Sequence, residues 1–116
     1  MRFQQLSLDE VDWDALDRFA DRTHSQRLPW LRYLAAINAG VPVVAMLQHN
    51  GETLGCFTGM RNKRLGIPTL GSPIPGWNTS YMGLNLAPGV SRTEALRALS
   101  DFAFRDLRCA YVELCD

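Results

Sequence analysis

The sequence predicts an α/β domain: a mixed, mostly antiparallel sheet with two N-terminal helices and a C-terminal strand–helix–strand unit. Three observations carry this. Apolar residues recur at helical spacing twice before Gly40 and once more after Ser91. Between these stretches the pattern turns strand-like, and Asn50-Gly51 separates two such runs, a strong hairpin signal because both residues tolerate positive φ. The last helix is followed by the apolar run Ala110 to Cys115, and a right-handed crossover into it would add a parallel pair.

A chain of 116 residues is one domain's worth. Twelve Lys and Arg balance twelve Asp and Glu, so no surplus of positive charge is present to displace counterions from nucleic acid. Hydrophobic residues at 47% and charged residues at 21% are ordinary for a globular domain and argue against disorder. No run approaches the roughly 20 apolar residues of a membrane span. The opening Met1 to Gln5 lacks the apolar core of a signal peptide. Cys56, Cys109 and Cys115, odd in number, read as reduced thiols, so a cytoplasmic protein is expected.

The elements follow in order. Arg2 to Leu6 is a candidate first strand. Ser7-Leu8-Asp9-Glu10 is a capping box. Leu8, Val11, Ala15, Leu16, Phe19 and Ala20 then form one apolar stripe, predicting a helix from about residue 8 to residue 22. Its first turns hold Asp9, Glu10, Asp12 and Asp14, where the helix dipole favours negative charge. Thr23 to Leu28 is a polar connection. Pro29 suits the first position of a second helix. Trp30, Leu31, Leu34 and Ile37 form its buried face, and Gly40 fits a left-handed C-cap.

Val41 to His49 reads as a strand, and Glu52 to Arg61 as its return. Gly55 and Gly59 in that return predict a bulge or a close backbone approach. Asn62 to Gly66 is a second turn, and Ile67 to Leu70 a short strand. Gly71-Ser72-Pro73-Ile74-Pro75-Gly76 is a structured loop. Trp77 to Leu86 reads as another strand, ended by Pro88-Gly89. Ser91-Arg92-Thr93-Glu94 is a second capping box. Ala95, Leu96, Leu99, Phe102, Ala103 and Leu107 stripe a helix of about 92–108. Ala110 to Cys115 is the final strand, read as a central one, with Tyr111 and Glu113 on one face and Val112 and Leu114 on the other. No internal repeat is present.

This order resembles the front part of the Gcn5-related N-acetyltransferase superfamily. Tyr81-Met82-Gly83-Leu84-Asn85-Leu86, the helix from Arg92 and the strand Tyr111-Val112-Glu113-Leu114 look like its acyl-CoA-carrying unit. The loop Ser72-Pro73-Ile74-Pro75-Gly76-Trp77-Asn78-Thr79 and the segment Leu28-Pro29-Trp30-Leu31 look more like the Fem-type aminoacyltransferase branch. The resemblance implies a partial acetyltransferase-like fold over residues 1–116. It departs at the phosphate loop. Members carry Gln/Arg-x-x-Gly-x-Gly/Ala there, whereas this chain has Pro88, Gly89, Val90, Ser91, Arg92 and Thr93. Pro88 has no amide to give, so no cofactor is expected. Gly89, Ser91 and Arg92 remain candidates for weak anion binding at a helix start. A full domain of that superfamily also continues beyond the position of Cys115. The resemblance therefore implies the degenerate N-terminal half, completed by a second domain of the same protein or by another chain.

Among candidate residues, Trp77, Asn78, Thr79 and Tyr81 combine aromatic faces with hydrogen-bonding groups beside a Pro/Gly loop, the kind of segment where ligands bind. The plain alternative is that they cover the sheet and cap turns. Glu113 stands where related acetyltransferases place a general base, although a half-buried carboxylate at a strand edge needs no such role. His24, beside Ser25, and His49, before the Asn-Gly turn, read as ordinary polar residues, since a triad is assembled from separate segments. The cysteines show no metal-ligand spacing, so no metal is expected. Arg61, Lys63 and Arg64 form a basic cluster, read as a solvated hairpin tip, or else as a contact to a phosphate or acidic partner.

The function expected is acyl or aminoacyl transfer to an amine, this chain supplying the substrate-side wall rather than the acyl-CoA site. The rival is a non-catalytic interaction or small-molecule-binding domain. The final strand, whose residues Tyr111, Val112 and Leu114 include no Lys or Pro, predicts a homodimer formed through the sheet. Neither nucleic acid nor membrane is expected as a partner.

Overall fold

The computed structural model describes residues 1–37, 40–72 and 83–114. Six strands form one sheet: β1 (Arg2–Leu6), β2 (Val41–His49), β3 (Glu52–Arg64), β4 (Ile67–Ser72), β5 (Gly83–Leu86) and β6 (Tyr111–Leu114). The order across the sheet is β1-β2-β3-β4-β6, with β5 also on β3. All pairs are antiparallel except β4 with β6, so the expected mixed α/β class holds.

The strands follow from local chemistry. Asn50 and Gly51 both take positive φ, 51° and 79°, the two-residue turn whose twist matches that of its strands. Leu65 and Gly66 repeat it at 53° and 81°. Register steps from Leu47↔Gly55 to Gln48↔Thr53, leaving Leu54 as the extra residue of a bulge. The backbone approach expected at the strand glycines is also present. A Cβ on Gly55 would stand 2.5 Å from the Asn85 carbonyl oxygen, and one on Gly59 would stand 2.7 Å from the Phe57 ring.

The outer edge of β3 is shared end to end. Met60 to Arg64 pair with β4, and Gly55 to Thr58 pair with β5. Both partners run antiparallel to β3, so they are two halves of one edge line, with residues 73–82 between them.

Each face of the sheet carries an apolar core. On one, Phe3, Val43, Ala45, Leu47, Phe57, Leu70 and Leu84 pack on Ala95, Leu99, Phe102 and Ala103 of the C-terminal helix. On the other, Val44, Cys56 and Met60 pack on Val11, Leu16, Leu31 and Leu34. The C-terminal helix is α3 (Arg92–Asp101), continued by a wider π turn at Phe102–Asp106. Among the described residues, no helix is long and apolar enough to cross a membrane.

Three expectations need correction. The first helix shrinks to α1 (Trp13–Leu16). The Ser7 amide does donate to Glu10 Oε1 at 3.0 Å, but the Glu10 amide donates to the Ser7 carbonyl at 3.0 Å, so the box closes a turn. Asp12 caps instead, accepting from the Ala15 amide. Phe19 and Arg22 then close three-residue turns onto Leu16 and Phe19, and the chain leaves the helix. The second helix, α2 (Leu28–Ala36), starts one residue before the expected place, with Pro29 as its second residue.

Next, of the three basic residues only Arg64 flanks the hairpin turn. The two-residue turn at Leu65-Gly66 lets β3 run on to Arg64, so Arg61 and Lys63 lie within the strand. Third, among the described residues β6 lies at the edge of the sheet and not at its centre, and its parallel partner is β4 rather than the segment before α3. The strand expected from Trp77 to Leu86 is present at Gly83–Leu86, its earlier residues lying outside the described ones.

Candidate functional site

The richest polar chemistry lies on the α2 side of the sheet, where β4 gives way to β5. Arg22 enters it from the turn after α1. Its side chain is only 1% exposed. Nε donates to Asp17 Oδ1 at 3.1 Å, and Nη2 to the Gln26 carbonyl at 2.7 Å. Nη1 stands 3.1 Å from Asn85 Oδ1, 3.4 Å from Thr58 Oγ1 and 3.6 Å from Cys56 Sγ. A buried cation is tolerated only with such partners, because burial strips it of water.

Alternation aims Cys56, Thr58 and Asn85 at this point. Cys56 and Asn85 face each other in the β3–β5 register, and Thr58 lies two residues along. The Asn85 amide nitrogen donates to the Asp21 carbonyl at 2.9 Å and to Asp21 Oδ1 at 3.0 Å. Asp21 Oδ2 accepts from the Leu86 amide at 3.3 Å. A carboxylate from the turn after α1 thus accepts from a backbone amide of β5.

Ser72 closes the break between the two half-strands. Its Oγ donates to the Thr58 carbonyl and accepts from the Gly83 amide, both at 2.6 Å. The two ends of segment 73–82 are therefore held together by one hydroxyl, itself 1% exposed.

Burial pushes the Cys56 thiol up in pKa, while the Arg22 charge and a Thr58 hydrogen bond pull it partly back. The net rise keeps the sulfur protonated at neutral pH, unsuited to nucleophilic attack. The cluster positions chain segments rather than reacting.

The expected binding residues Trp77, Asn78, Thr79 and Tyr81 lie outside the described residues, as does Cys115. Their segment is the one whose ends Ser72 joins. Gly89, at φ 83°, forms the turn into α3, and Ser91 is its N-cap, accepting from the Glu94 amide at 3.3 Å. The Val90 amide donates to the Ala87 carbonyl at 3.2 Å and the Ala87 amide to the Leu54 carbonyl at 2.9 Å. Several donors that a phosphate would use are therefore engaged within the chain. Arg92 is exposed. Glu113 is exposed on edge strand β6, opposite Gly71 in register. His24 Nε2 lies 3.5 Å from Ser25 Oγ and packs edge-on to Trp30. His49 Nδ1 lies 3.2 Å from the N-terminal amine.

No family model, no curated protein and no solved structure matches this chain.

Sequence reasoning missed Arg22 and Ser72. Arg22 sits where an amphipathic helix would end, and a charged residue there normally faces water. One signal was present at the far end: Asn85 interrupts the apolar run Leu84-Asn85-Leu86, and a buried amide needs a polar partner.

Proposed function

We propose that this chain is an acetyltransferase-like domain of the Fem type that presents a substrate-side loop and does not itself hold acyl-CoA. The observation that carries the reading is the interrupted edge. Two collinear half-strands, β4 and β5, are joined through Ser72, and the intervening residues 73–82 hold the aromatic and amide side chains suited to an acceptor. Rigid strands below a loop are the usual way to position binding groups. The turn before α3 supports the second half of the proposal. Pro88 lacks an amide, and the Val90 and Glu94 amides already donate within the chain. A cytoplasmic setting and a transfer of an acyl or aminoacyl group to an amine go with this reading, the missing cofactor side being supplied by a second domain or chain.

Calorimetric titration with acetyl-CoA tests it. Binding weaker than about 1 mM is expected, and a dissociation constant in the low micromolar range, roughly −8 kcal/mol, would overturn the degenerate-half assignment.

A second reading, a non-catalytic domain that pairs through its sheet as a homodimer, is favoured by β6. That strand ends the sheet order, and Tyr111 on it is half exposed. Sedimentation at micromolar concentration separates the two, since a monomer removes the pairing reading.

A further inference from the structure

We propose that the groove at the C-terminal end of α3 binds a small organic phosphate, with cations holding the phosphate and an apolar floor holding the body. This end of the helix is remote in sequence from the Pro88–Thr93 turn, so the site is independent of the acyl-CoA question.

The groove is open to solvent and offers about 810 Å³, inside the roughly 300–1,000 Å³ range of small-molecule sites. Three cations from two elements line it. Arg61 and Lys63 lie two residues apart on β3 and so share a face, and Arg108 comes from the turn after the π segment. All three are exposed, and among the described residues none is paired with a carboxylate. Val41, Pro68 and Leu107 supply apolar surface between them. Val41 is 64% exposed, so its aliphatic surface is open to the groove.

Arg108 is the most informative member. It holds φ 55°, the left-handed position just past a helix end that glycine normally takes. Neighbouring hydrogen bonds, Leu107 amide to Phe102 carbonyl and Cys109 amide to Ala103 carbonyl, both at 2.9 Å, fix that geometry. An arginine there accepts backbone strain that glycine would avoid, and such strain concentrates where a side chain has a task.

The opposing charges are smaller. Asp106 lines the same groove, and a helix C-terminus carries about half a negative charge. Three full positive charges outweigh both. A bare phosphate would leave the apolar floor uncovered. A polynucleotide would need a longer run of cations than a chain of zero net charge provides.

The test is an amide NMR titration of the whole chain with phenyl phosphate, with inorganic phosphate and phenol run at the same ionic strength. Phenyl phosphate should give saturable shifts at Val41, Arg61, Lys63 and Arg108, and the other two probes should bind about tenfold more weakly or worse. The double variant Arg61→Gln, Lys63→Gln should weaken phenyl phosphate at least about fivefold. Arg108→Gly should do the same while its thermal midpoint stays or rises, because glycine relieves the left-handed backbone. The proposal fails if no saturable shift occurs at millimolar phenyl phosphate, if the shifts map elsewhere, or if the variants bind undiminished. Equal affinity for inorganic phosphate removes the apolar half of the site. Tighter binding of a short single-stranded oligonucleotide to the same residues replaces the small-molecule assignment.

Discussion

Arg22 Nη1 donates to Asn85 Oδ1 across 3.1 Å, joining the turn after α1 to β5, 63 residues later in the chain. Through the same amide, Asn85 holds Asp21, so the two neighbours Asp21 and Arg22 grip one side chain from opposite charges. This contact ties the irregular N-terminal layer to the strand that resumes after residues 73–82.

Arg22→Leu should therefore destabilise the fold by about 3 kcal/mol, since it strands buried acceptors on Asn85 and Gln26 together with the Asp17 carboxylate. Asp17 is 34% exposed and can recover part of its hydration, which keeps the figure at the lower end. Arg22→Lys retains the charge but not the fork, and should recover less than half of the loss. Urea melts measure both, and an unchanged midpoint for Arg22→Leu would show that the network adds nothing.

Gly55→Ala should cost about 3 kcal/mol. The added methyl meets the Asn85 carbonyl at 2.5 Å and Leu86 Cδ2 at 2.8 Å, and the carbonyl can retreat only by parting β3 from β5. Gly51→Ala is the comparison. Nothing stands within 4 Å of its new methyl, so only the positive φ resists, at about 1 kcal/mol. Equal losses in the two variants would contradict the close approach.

Cys56 gives a pH dependence whose sign follows from burial. Its thiol pKa is raised by desolvation, so the folded state keeps the proton longer than the unfolded chain does. The associated stability is whole below the unfolded thiol value, about 8.5, and is lost as pH rises through the higher folded value. Cys109 shifts the same way, again from burial. Urea midpoints should fall between pH 7.5 and pH 10 (about one to two units either side of that value), and Cys56→Ala should fall less. A variant with an unchanged alkaline slope would assign the loss to other groups.

Ser91→Ala removes the hydroxyl that accepts from the Glu94 amide at 3.3 Å. A loss of about 1 kcal/mol is expected for an N-cap deletion, with the exposed position and long contact arguing against more. Thermal denaturation checks it, and an unchanged midpoint would move the helix start elsewhere.

Local chemistry determined much of this protein by sequence alone. β2 runs from Val41 to His49 because its run of β-branched and apolar residues reads as a strand and the Asn50-Gly51 turn ends it. α3 begins after its cap Ser91, and α2 begins one residue before Pro29. The opposite faces of Tyr111 and Val112 follow from the strand period. These are features that a few neighbouring residues settle among themselves.

Tertiary structure decided what depends on distant partners. The stripe from Leu8 to Ala20 is as consistent with a helix as with a series of turns. The outcome was set by Arg22, whose guanidinium is buried only because Asn85, Thr58 and Gln26 wait for it. Lys63 became a strand residue once the chain reversed at Leu65-Gly66. Glu113 became an edge carboxylate when β6 joined β4 by a crossover. Arg61 and Arg108, 47 positions apart by number, share a groove because β3 and the end of α3 meet there. A sequence states which groups need partners, but burial and hydrogen bonding across the folded chain choose them, because the cost of an unpaired buried group is paid only after the segments have met.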